Sequence, residues 1–234
     1  MLYEEYDKHL FAVDCVIFGY DNKELKLLLY PRGFEPSKGK WSLMGGFVSI
    51  NETVEAAAMR LLFQITGLKD IYLEQVNVFS DPQRESAARV ISVGFYALIR
   101  IDQHSEDSVR EFGAHWWPVN KIPDLVFDHQ QIVNKALQKL QFKASNELTG
   151  RELLPEKFSI PQLKYLYEAI FQQEFEPANF RKKVLAAGNL LQLDIKDTSE
   201  SKKGAYYYKF KDNAVETKEV GVINLNKFKL RNKD

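Results

Sequence analysis

The chain has little cysteine, no net charge and no long apolar run. Cys15 is its single cysteine in 234 residues. One thiol closes no intrachain disulfide, which excludes the disulfide-stapled secreted scaffolds. Cys15 also lies within the apolar run Phe11 to Tyr20, so a buried thiol is expected. Thirty-two Lys and Arg balance thirty-two Asp and Glu. That parity excludes the global basic field that draws a whole protein onto nucleic acid or an anionic membrane. No apolar stretch approaches the about 20 residues that span a bilayer, and no secretory leader stands out. The expected compartment is a reducing cytoplasm, without a membrane partner.

What is present suits a globular chain of one large or two small domains, with 45% hydrophobic residues to fill a core. The charge is uneven. From Asn146 onward sixteen basic residues meet thirteen acidic ones; before it sixteen meet nineteen. The later part is therefore the better candidate for a polyanion partner.

The first part reads as strands around one helix. Phe11–Tyr20 and Leu25–Tyr30 form a hairpin about Asp21-Asn22, and Trp41–Val48 is a strand. Asn51 caps a helix, Glu52–Thr66, that Gly67 ends. Its Val54, Ala57, Ala58, Leu61, Leu62 and Ile65 follow helical spacing. Ile71–Phe79, Arg89–Ile101 and His115–Pro118 continue as strands, with a polar loop at Ser80–Ala88. Asp128 caps a second helix with Ile132, Val133, Ala136, Leu137 and Leu140 on its apolar face.

The stretch from Gly46 to Leu68 resembles a Nudix box. Gly46, Glu52, Arg60, Leu62, Gly67 and Leu68 fall in register with that family's frame. Three positions where the family carries metal-binding Glu hold Leu61, Gln64 and Ile65 instead. Hard divalent cations need oxygen anions, which these side chains lack. The resemblance therefore implies a Nudix-type α/β/α sandwich with no catalytic residue, no metal and no cofactor.

Residues 146–158 read as a linker between a domain at 1–145 and another at 159–234. Ser159-Ile-Pro-Gln162 is a capping box that opens a helix with the stripe Leu163, Leu166, Tyr167, Ile170 and Phe171. Pro177 starts a second helix, ending at Gly188, with Phe180, Val184 and Leu185 on its apolar side. Asn179, Arg181, Lys182 and Lys183 occupy the other side. Leu190–Ile195 and Ala205–Phe210 then pair around a polar loop carrying Lys202 and Lys203. Helix, basic helix and basic-tipped hairpin make a winged helix-turn-helix, so these six polar residues are the expected DNA contacts. A solvated helix face is the alternative reading of the basic run.

A degenerate Nudix domain followed by a winged helix is similar to the Nudix-related transcriptional regulators. That resemblance implies a homodimeric repressor on palindromic double-stranded operator DNA, relieved by a small effector. One branch senses ADP-ribose; another senses L-arabinose. Phe34-Glu-Pro36, Trp41–Phe47 and Phe127-Asp-His129 are similar to the arabinose branch, so a pentose is expected first and ADP-ribose second. Arg32, Glu35, Trp41, Tyr96, Asp128 and His129 are the expected ligand contacts. Each also has a plain role: Trp41 and Tyr96 in a core, Arg32 with Glu35 as an exposed pair, Asp128 as a helix cap, His129 as a surface or a satisfied histidine. Two other classes remain open. One is a residual Nudix hydrolase using Glu52, Glu55 and Glu74; the other is a protein-binding adaptor without a ligand.

Overall fold

The computed structural model describes residues 5–67, 71–103, 113–198 and 204–211, and all side chains of these except Ile65, Thr66 and Gln103. Lys202, Lys203 and the tail beyond Lys211 lie outside the described residues. The chain divides into two compact units: residues 1–19 with 26–137, and residues 20–25 with 138–234.

In the first unit β1 (Leu10–Asp21), β2 (Glu24–Pro31), β3 (Trp41–Ser42), β4 (Met44–Phe47), β5 (Tyr72–Phe79), β6 (Val90–Arg100) and β7 (His115–Pro118) form one seven-stranded sheet. Its main path runs β3-β2-β1-β6-β5, while β4 pairs with β1 and β7 with β2. Helix α1 (Val54–Thr66) packs Ala57, Ala58 and Leu62 into a core shared with Val13, Cys15, Ile17, Phe95 and Ala97. Cys15 is fully buried, and burial pushes its thiol pKa far up, so it is an inert core residue. Helix α2 (His129–Asn146) buries Ile132, Val133, Ala136 and Leu140.

Local chemistry moved two expected boundaries and kept a third. The strand expected from Trp41 to Val48 is two, because the Leu43 N–H donates to His129 Nδ1 at 3.1 Å instead of to a neighbouring strand. The cap of α1 is Thr53 rather than Asn51: its hydroxyl accepts from Ala56 N at 3.1 Å. Gly67 ends α1 as expected, at φ 70°, a conformation that only glycine adopts freely.

The second unit holds β8 (Phe158–Ser159), α3 (Ile160–Phe171), α4 (Pro177–Ala186), β9 (Leu190–Asp197) and β10 (Ala205–Phe210), a winged helix with the three-stranded order β8-β10-β9. The capping box is present: Ser159 and Gln162 exchange side-chain and backbone hydrogen bonds. Phe175 and Phe180 stack at 5.9 Å between centroids, and Tyr167 meets Phe180 edge-on at 5.5 Å. The segment expected as a linker is packed into this unit instead. Thr149, Leu153 and Leu154 are buried, and Thr149 N donates to the Tyr167 hydroxyl at 3.0 Å.

Candidate functional site

A cavity of about 230 Å³ opens where β1, β3 and β4 meet the start of α2. The break between β3 and β4 helps to make it. With Leu43 N–H turned onto His129, Ser42 faces inward, its hydroxyl donating to Leu43 O at 3.0 Å and standing 3.4 Å from His129 Nδ1. Gly45 allows β4 to pass Asp14 closely; a Cβ there would stand 2.5 Å from Asp14 Oδ1.

The floor is a buried charge cluster. Arg84, 7% exposed, donates from Nε and Nη2 to the two oxygens of Asp128 at 2.9 and 2.8 Å. Its Nη2 also reaches Asp14 Oδ2 at 3.1 Å, which takes a second bond from the Ser92 hydroxyl at 2.6 Å. His129 Nε2 faces Asp14 Oδ1 at 3.5 Å. Because Nδ1 accepts from the Leu43 N–H, the neutral ring carries its proton on Nε2. Burial holds the His129 pKa below its ordinary value near 6.5; Asp14 and Asp128 pull it upward, while Arg84 and Arg32 push it down.

One wall is cationic and aromatic. The Arg32 guanidinium lies 3.9 Å over the Phe34 ring and 5.0 Å from Phe127, donates to Pro36 O at 2.7 Å, and stands 3.9 Å from Glu85. Ala12, Tyr30, Phe47 and Val90 complete the lining.

Of the residues expected to touch ligand, Arg32 and His129 line this cavity, and Asp128 supports it through Arg84. The Asp128 carboxylate is engaged by Arg84; only its backbone carbonyl receives Gln131 N and Ile132 N at the start of α2. Three others are elsewhere. Trp41 packs edge-on against His115 and Trp117, each at 5.4 Å. Tyr96 is fully buried in the sheet and donates to Glu74 at 2.9 Å. Glu35 is exposed and does not line this cavity. Sequence reasoning missed Arg84, Asp14 and Ser42. The polar stretch Ser80–Ala88 looked like an ordinary loop, yet it delivers a buried arginine. The lone Asp14 in an apolar strand was the available signal, because a buried carboxylate demands a partner.

The divalent-cation site implied by the box does not fit these residues. Leu61 Cδ2 stands 3.2 Å from where a Cβ on Gly46 would be, so an aliphatic side chain occupies the Gly46 side of α1. Both Glu52 oxygens accept from Arg60, at 2.7 and 3.0 Å, and this pairing lowers the Glu52 pKa to about 2. Gln64 is exposed, and the Ile65 side chain lies outside the described residues. Glu74 accepts from the hydroxyls of Tyr72 and Tyr96. Among the described residues, no three His, Cys, Asp or Glu side chains group as metal ligands.

In the second unit, Glu176 caps α4 by accepting from Ala178 N and Asn179 N at 2.9 and 2.7 Å. Phe180 and Val184 anchor the inner face, leaving Ala178, Arg181, Lys182 and Leu185 exposed with i, i+3, i+4, i+7 spacing. Leu185 was expected on the apolar side; it lies on the open face, one position beyond the buried Val184. Asn179 and Lys183 are half-buried at its margins. Arg181 Nη2 donates to the Tyr208 hydroxyl at 3.4 Å, which donates to Gln192 at 2.9 Å, tying α4 to both long strands of the wing. A narrow helix face with two cations, braced by a hairpin, is suited to phosphates and base edges.

Comparison with known proteins matches the NUDIX domain model over residues 8–139 and the NrtR DNA-binding winged helix domain model over residues 150–210. The chain is 29% identical over 210 residues to the ADPR responsive transcriptional repressor NtrR of Acinetobacter baylyi, spanning 88% of this chain and 84% of that protein. It is 37% identical over 123 residues to the ADP-ribose pyrophosphatase of Methanocaldococcus jannaschii, 52% of this chain and 69% of that enzyme. The crystal structure of Shewanella oneidensis NrtR complexed with a 27mer DNA superposes with a TM-score of 0.76 at 28% identity, covering 86% of this chain and 93% of that one.

Proposed function

The chain belongs to the NUDIX domain family, and from that premise we propose that it is a DNA-binding transcriptional repressor whose effector is ADP-ribose. The observation that carries this reading is the pairing, in one chain, of a Nudix fold whose described residues group no metal ligands and a winged helix with an open basic face. The full-length similarity to an ADPR responsive repressor supports it, as does the similarity to a structure solved on DNA. The comparisons give the arabinose-responsive branch no support. The pentose expected first therefore gives way to ADP-ribose.

The working unit of this reading is a cytoplasmic homodimer on a palindromic operator. Two copies of α4 would enter successive major grooves about one helical turn apart. Lys182 and the wing contact phosphates, and Arg181 contacts a base edge at the margin of the groove. ADP-ribose acts by binding one arrangement of the protein more tightly than the other. Its effect on DNA affinity is limited to that difference and is reciprocal. No hydrolysis belongs to the cycle in this reading, because Leu61 is aliphatic and the Glu52 and Glu74 carboxylates are paired within the protein.

A second reading, residual hydrolysis, is favoured by the ADP-ribose pyrophosphatase relative alone. A gel shift with the DNA upstream of the gene and its neighbours, with and without ADP-ribose, tests the repressor. A retarded band that ADP-ribose releases without added metal is expected. No retarded band on any such fragment would overturn it.

A further inference from the structure

Arg181 is not an isolated cation on the open face of α4. It follows the buried Phe180 by one position, and its Nη2 donates to the Tyr208 hydroxyl at 3.4 Å. Tyr208 is fixed from both sides. β10 is the central strand of the β8-β10-β9 sheet, and Tyr208 pairs there with Phe158 of β8 and Gln192 of β9. It is 2% exposed, so the ring has no room to swing and its hydroxyl stands in one place.

The direction of the hydrogen bonds follows from the groups. A guanidinium only donates, so the Tyr208 oxygen accepts from it. The single phenolic proton then goes to Gln192 Oε1, at 2.9 Å. The chain from Arg181 through Tyr208 to Gln192 runs one way and crosses α4, β10 and β9. It takes one of the five N–H groups of a guanidinium. Core packing alone does not ask for this hydroxyl, because a phenylalanine ring fills the same space and leaves no polar group to satisfy. Both partners of the hydroxyl are exposed side chains, so it acts on the surface of the domain rather than on its core.

Reading a base requires aim. Arginine recognises guanine by placing two N–H groups on O6 and N7 at once. A freely rotating arginine has among the largest side-chain entropies to lose, and its charge meets phosphates as readily as bases. One already directed by a fixed acceptor loses less on binding and presents its fork in one orientation.

We propose that Tyr208, backed by Gln192, is a positioning residue that aims Arg181 at a guanine of the operator. This rests on the repressor reading above. Tyr208 touches no base; it acts through Arg181. The bond between them is long, so it steers the guanidinium rather than clamping it, and the effect of its loss is modest.

The test is competition anisotropy on the full chain, with the shortest fragment retained in the gel shift and its single base-pair variants. Arg181→Ala should lose discrimination at one G·C pair. Tyr208→Phe keeps the ring and should lose about fivefold of the discrimination at that same pair, the lower end of what one bidentate arginine supplies. The salt slope, which counts phosphate contacts, should not move. In the Arg181→Ala background, Tyr208→Phe should change the discrimination no further. Gln192→Ala, at an exposed position, should lower discrimination at the same pair, and it decides the matter if Tyr208→Phe does not fold. Full discrimination in a folded Tyr208→Phe, or a loss spread equally over all sequences, would overturn the positioning role and leave the repressor standing. So would a Tyr208→Phe effect as large without Arg181 as with it. Failure of the unaltered protein to bind any fragment would overturn the repressor reading, and the positioning role with it.

Discussion

The box helix and the cavity floor stand side by side in one sheet-and-helix frame, and their polar chemistry is opposite. Along α1 the positions that define a cation site carry Leu61 and Gln64, and the remaining Glu52 is paired with Arg60 near solvent. At the cavity floor Asp14, Arg84 and His129 are buried, with Arg84 hydrogen-bonded to both Asp14 and Asp128. Burying ions carries a desolvation penalty of several kcal/mol each, which well-packed apolar residues would avoid. A fold that needed only a core would have no use for that cluster. The difference is between a helix face that carries Leu61 toward Gly46 and a floor whose buried charges are fully engaged with one another.

The sharpest way to break this contrast is to orphan the buried charges. Arg84→Ala leaves Asp14 and Asp128 without their shared cation and should destabilise the protein by about 3–5 kcal/mol. Chemical denaturation would measure it. Glu52→Gln, on the exposed side, removes one arm of the Arg60 pairing and should change stability far less. Comparable losses from the two would erase the distinction between floor and box.

The operator face offers the next effect in size. Arg181→Ala should cost roughly 1–3 kcal/mol of operator affinity and relax specificity at one position. Lys182→Ala should weaken all sequences alike and lower the salt slope by about one. Anisotropy titrations at several salt concentrations separate the two. Glu176→Ala removes the cap of α4 and should lower stability by about 1 kcal/mol, with no change in the salt slope.

A smaller effect follows from His129. Its pKa is depressed by burial in the folded state, so the unfolded chain binds more protons below the ordinary value near 6.5. Stability should therefore be full above about pH 6.5 and decline as pH falls from there toward the lower folded value. Melting temperatures between pH 7.5 and 5.5 would show the decline, and His129→Gln should flatten it. A steeper decline in the variant would contradict the assigned protonation.

Much of this frame was legible in the sequence because it depends on local rules. Gly67 as a left-handed cap, the Ser159–Gln162 capping box and the pairing of Leu190–Ile195, which the structure extends to Asp197, with Ala205–Phe210 each follow from neighbours within a few residues. The cavity was not legible, because its floor joins residues far apart. Arg84 sits 70 positions from Asp14 and 44 from Asp128, and nothing in the polar stretch around it signals burial. Trp41 lies off this cavity for a related reason. Strand alternation turns Ser42 toward the cavity and leaves Trp41 on its aromatic neighbours, a distinction that needed the register of β3.

The most direct test of the central claim is a titration of ADP-ribose into the complex of full-length protein and labelled operator, in chelator, followed by anisotropy. ADP-ribose should release the DNA and be recovered intact afterwards. Release that requires added Mg²⁺, or recovery of AMP and ribose 5-phosphate in amounts abolished by Glu52→Gln, would contradict it.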